Sequence, residues 1–79
     1  MSENINKYNQ AFVATFSVTE NELENLAYES IEAWDSIGHM NLIGELEDTF
    51  DIEIETDDVI AFSSYQKGKE ILKKYNIEI

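Results

Sequence analysis

The sequence contains no cysteine, no proline and no arginine. Without cysteine there is no disulfide framework and no thiolate metal site, and nothing points to an oxidising compartment. A single histidine, His39, cannot build a typical zinc site on its own. Three glycines, Gly38, Gly44 and Gly68, supply little punctuation, so hydrophobic periodicity has to carry the structural reading. No apolar run approaches the roughly 20 residues of a membrane helix. The stretch Met1 to Lys7 is polar and lacks the apolar centre of a secretory leader. The expectation is a soluble, cytoplasmic protein that does not associate with membranes.

What is present is small and strongly acidic. The 79 residues predict one domain, 1–79. A core of this size disfavours a large catalytic cleft, and 43% hydrophobic residues are too many for a disordered chain. Seventeen acids against five lysines give a net charge of −12. No lysine or arginine lies between Tyr8 and Gln66, and fourteen of the acids lie there, from Glu20 to Asp58. Such a field repels phosphate backbones and anionic membranes. It attracts proteins with basic patches, although solubility alone also accounts for an acidic surface. A monomer that binds no nucleic acid is expected.

The apolar positions organise into helices. Ile5, Tyr8, Phe12, Val13 and Phe16 recur at helical spacing and predict an amphipathic helix over about Asn4 to Phe16. From Ser17 to Trp34 neither period persists, which predicts a long ordered loop pinned by Val18, Leu23, Leu26, Tyr28, Ile31 and Trp34. Within it, Thr19 and Glu22 have the spacing of a capping box for a short helical turn up to Leu26. Asp35 and Ser36 are both strong helix caps and open a second helix. Ile37, Met40, Ile43, Leu46 and Phe50 carry its period to an end near Phe50. Ile52 and Ile54 alternate with acids, as Ile77 and Ile79 do, which leaves a two-stranded pairing as a minor alternative. Thr56 or Asp57 is expected to cap a short helix over Asp58 to Phe62, with Val59, Ile60 and Phe62 on its buried side. Ser63 or Ser64 then caps a last helix to about Tyr75, with Tyr65, Ile71, Leu72 and Tyr75 inward. Gly68 within it costs helix stability and allows close helix contact. The predicted class is all-α: a small four-helix bundle of three main helices and one short one, with a long loop between the first and second helices.

Most routes to chemistry fail on residue identity. Asp51, Glu53, Glu55 and Asp57 have the spacing of a calcium loop, but Thr56 and Phe62 stand where its glycine and bidentate glutamate belong. No metal site is expected. Ser36 and His39 are three apart, as a dyad on one helix would be, yet no orienting group accompanies them, and a surface histidine is expected. No glycine-rich phosphate loop is present. Ser36 itself stands where a long loop meets a helix N-terminus. It reads either as a helix cap or as a modification site, since a helix N-terminus accommodates an attached phosphate.

The run Trp34-Asp35-Ser36-Ile37-Gly38-His39-Met40 resembles the phosphopantetheine attachment motif of acyl carrier proteins and peptidyl carrier domains. The likeness continues through Leu42, Leu46-Glu47, Phe50-Asp51, Ile54 and Asp57-Asp58, and it covers the whole chain. It implies a non-catalytic carrier. Ser36 would hold 4′-phosphopantetheine, installed from coenzyme A by a phosphopantetheinyl transferase, with Asp35 assisting that step. Acyl groups would travel as thioesters on this arm. The second helix would dock partners through Ile37, Met40, Glu47 and Asp48, and Leu46, Ile54, Val59 and Phe62 would be candidates for an acyl pocket. For Met40, packing in the core is an equal expectation. The implied partners are an acyl or aminoacyl ligase, a ketosynthase or an acyltransferase with a basic docking patch. Fatty-acid carriers place acids two and five residues after the serine, where this sequence has Gly38 and Asn41. Together with Trp-Asp before the serine, this favours a specialised pathway such as glycan modification or secondary metabolism. The alternatives are a carrier of aminoacyl or peptidyl groups and, from another class, an unmodified acidic adaptor for a basic protein.

Overall fold

The computed structural model describes residues 2–79. It contains four α-helices, α1 (Ser2–Phe16), α2 (Ser36–Phe50), α3 (Thr56–Ala61) and α4 (Tyr65–Lys73), and a 3-10 helix at Glu20–Asn25. Helix accounts for 65% of the chain, with no strand among the described residues. The helical class therefore stands, and the two-stranded pairing of Ile52–Ile54 with Ile77–Ile79 does not form. No helix among the described residues is long and apolar enough to cross a membrane.

The helices form where periodicity and caps agree. In α1, Tyr8, Phe12 and Phe16 are buried and Ile5 packs beside them, and Ser17 ends the helix in the left-handed region. In α2, Leu42, Ile43 and Leu46 face the core. The helix stops at Asp51, whose left-handed backbone lets the Ile52 N–H donate to the Glu47 carbonyl at 3.1 Å. The Thr19–Glu22 spacing has the expected effect: Glu22 accepts from the Thr19 N–H at 2.8 Å and starts the 3-10 helix. Ser64, not Ser63, caps α4 by accepting from the Lys67 N–H at 3.0 Å.

Three expectations need correction. α3 begins two residues earlier than expected and ends at Ala61, with Glu55 at its cap position and no side-chain cap, so Thr56 and Asp57 lie inside it and Phe62 just beyond it. Ile60 is 75% exposed, because it stands two residues from both Asp58 and Phe62, which are buried, and so falls on the opposite side. α4 ends at Lys73, and Tyr75 sits half-buried in the turn beyond it.

One aromatic cluster fills the core. Trp34 is fully buried, stacked on Phe16 at 5.2 Å and edge-on to Phe12 at 5.7 Å. Gly68 lets α4 approach this cluster, since a Cβ there would run into the Tyr8 hydroxyl and the Phe62 ring. Tyr8 donates to the Tyr65 carbonyl at 2.6 Å, and its burial pushes the phenol far above the usual range. The segment before α2 is held by backbone bonds to the strip before α4. The Tyr28 N–H donates to the Ser63 carbonyl at 2.9 Å, and the Tyr65 N–H donates to the Leu26 carbonyl at 3.0 Å. This pairing brings Tyr28 to the N-terminus of α2.

Candidate functional site around Ser36

Asp35 and Ser36 compete by sequence for the cap of α2, and the backbone assigns it to Asp35. Its extended conformation lets Oδ1 accept from the Gly38 N–H at 2.8 Å. Ser36 is therefore the first helical residue rather than the cap, and its side chain is not used to start the helix. It is exposed, with its Oγ 3.4 Å from the Tyr28 hydroxyl. Gly38 is buried, and a Cβ there would collide with the Ala33 carbonyl oxygen. Position 38 is thus held to glycine by lack of space against the preceding loop.

An open cleft of about 380 Å³ lies beside Ser36, lined by Tyr28, His39, Met40, Val59, Ile60 and Phe62, with Ser63 at its edge. Of the four acyl-pocket candidates, Val59 and Phe62 line it. Leu46 and Ile54 are buried elsewhere in the core and do not. Met40 is 56% exposed and faces the cleft, so it is not a core residue. Ile37 is 73% exposed on the first turn of α2. Asp48 is exposed, whereas Glu47 is half-buried and accepts from the Ile54 N–H at 2.9 Å, bracing the segment that leads to α3. Tyr28, His39, Ile60 and Ser63 are cleft residues that the sequence analysis did not place there. Tyr28 and Ile60 are large hydrophobic side chains left exposed, and only the pairing of distant segments brings them to one cleft.

The expected surface histidine is also corrected. His39 is half-buried, with Nδ1 accepting from the Trp34 indole N–H at 2.9 Å and Nε2 lying 2.8 Å from the Val59 carbonyl. Both ring nitrogens face the scaffold, so the imidazole is committed to Trp34 and Val59 rather than to Ser36.

On the far side of α3, Asp58 is buried and accepts from Lys74 Nζ and from the Tyr75 hydroxyl, each at 2.6 Å. Lys74 and then Tyr75 hold its carboxyl below the usual carboxylate range. Tyr75 also accepts from the Glu55 N–H at 2.9 Å, so the C-terminal turn grips both ends of the first turn of α3. No protein family, curated protein or solved structure matches this chain.

Proposed function

We propose that this protein is an acyl carrier protein whose four α-helices form a carrier bundle and whose Ser36 bears a 4′-phosphopantetheine arm. The observation that supports this most is the division of labour at the start of α2. Asp35 provides the cap, which leaves at a helix N-terminus an exposed serine hydroxyl with no capping duty, in reach of the Tyr28 hydroxyl at 3.4 Å. The surroundings suit the group: the N-terminal end of a fifteen-residue helix favours an anionic phosphodiester. When bound, the arm supplies the thiol that this cysteine-free chain lacks.

The chain's own residues present that hydroxyl and recruit partners. Ser36 Oγ would attack the phosphorus that carries the pantetheine arm within coenzyme A. The new O–P bond replaces the pyrophosphate bond, the adenosine bisphosphate leaves, and a base on the transferase takes the proton. Asp35, one residue away, offers a carboxylate to that enzyme's magnesium. Ile37, Met40 and Asp48 are exposed and form an apolar and acidic surface for a basic partner, such as the transferase, a ligase, a ketosynthase or an acyltransferase. Glu47 adds charge to that surface while bracing Ile54. The cargo is an acyl group in a specialised pathway. An aminoacyl cargo would use the same residues, and an unmodified adaptor would not need Ser36.

Peptide mapping tests this reading. After incubation with coenzyme A, magnesium and a broad-specificity phosphopantetheinyl transferase, fragment masses should place the added group on Ser36. Attachment at another residue would overturn the assignment.

A further inference from the structure

His39 has bonds that the carrier reading leaves unused. An indole nitrogen only donates, so Nδ1, which receives the Trp34 N–H, carries no proton. The ring proton is then on Nε2 and is donated to the Val59 carbonyl. The last four carbonyls of a helix have no helical partner, and in α3, with six residues, Val59 is among these. His39 therefore ties the first turn of α2 to the end of α3. Its ring lies nearly parallel to Trp34, with centroids 6.2 Å apart and an angle of 15°. Tyr28 and Phe62 meet it edge-on at 5.5 and 6.2 Å. The imidazole thus lies between the cleft beside Ser36 and the buried Trp34 with its Phe12 and Phe16 neighbours.

We infer that His39 sets the depth of this cleft, and with it the size of the group that an arm on Ser36 can shelter. The inference rests on the carrier reading and narrows it to a short acyl group held against Met40, Val59, Ile60 and Phe62. A longer chain meets the imidazole and stays at the surface. Removing the ring joins the cleft to the N–H edge of Trp34.

Trp34 is the single tryptophan of the chain and reports on this wall. Acyl groups of increasing length, each ending in bromine, would be loaded from their coenzyme A thioesters by a broad-specificity transferase. Intact mass would verify the loading, and Trp34 fluorescence would be read for heavy-atom quenching. The unaltered protein should show no quenching at any length. His39→Ala should lose most of its intensity once the chain passes a threshold length. His39→Gln, whose amide can accept from Trp34 and donate to Val59, should behave as the unaltered protein. If His39→Ala lacks the helix content of the unaltered chain, His39→Asn takes its place. Equal quenching in the unaltered protein and in His39→Ala, or none in either, overturns the inference while leaving the carrier reading intact. Quenching of His39→Gln at the threshold length of His39→Ala also overturns it. No mass gain overturns both.

Discussion

Gly38 and Gly44 lie on the same helix in opposite surroundings. A Cβ at Gly38 would strike the Ala33 carbonyl, whereas nothing lies within 4 Å of one at Gly44. Gly38→Ala should therefore destabilise the fold by about 1–3 kcal/mol through overpacking. Gly44→Ala should stabilise it by about 1 kcal/mol through helix propensity. Urea unfolding of the two variants checks both signs. Asp35→Ala removes the acceptor for the Gly38 N–H and should cost about 1 kcal/mol, read as a lower melting temperature. Ser36→Ala, which removes no cap, should melt within about 0.5 kcal/mol of the unaltered protein. The capping role at this junction was legible in the sequence, but its assignment to Asp35 rather than Ser36 was not. Both residue types cap well, and the choice is made by backbone angles. The reason for Gly38 was equally hidden, because its constraint comes from a carbonyl in the preceding loop.

Among the elements, α1, α2 and α4 were legible because each repeats an apolar period over at least two turns and ends at a cap or a left-handed residue. α3 was misplaced at its start because a six-residue helix carries hardly more than one period, and its cap position is an ordinary glutamate with no side-chain bond. What holds α3 is polar and distant in sequence: Asp58 with Lys74 and Tyr75 on one side, and His39 with Val59 on the other. No periodicity encodes such pairings. The Asp58 staple has a pH signature. Its carboxyl is held below the unfolded value, so its contribution is complete above that value, near pH 4, and is lost as the pH falls through the folded value. Lys74 is held above its usual range by Asp58, so its share is complete below the unfolded lysine value and is lost only as the pH rises through the folded one. Asp58→Asn should therefore lower the melting temperature at neutral pH and flatten its fall in acid. An acid limb as steep as that of the unaltered protein would contradict the staple.

For the whole molecule, charge and site act together. Against seventeen acids, the described residues make two ion pairs, Lys74 with Asp58 and the exposed Lys67 with Glu70. Most of the negative charge is therefore left to self-repulsion, and added salt should raise the melting temperature by screening it. A flat or falling response between low and moderate salt would contradict this. The same field suits the proposed hand-over between basic partners, with Ser36, Ile37 and Met40 at the exposed end of α2. The sequence showed Ser36 and the acidic helix. The cleft was hidden because it is assembled from Tyr28, α2 and α3 by pairings across the chain. The central claim is that Ser36 accepts a phosphopantetheine arm. Intact mass after incubation with coenzyme A, magnesium and a broad-specificity transferase tests it most directly, with Ser36→Ala alongside. The account predicts a gain of one phosphopantetheinyl group in the unaltered protein and none in the variant. An unchanged mass with several such transferases, or the same gain in Ser36→Ala, would contradict it.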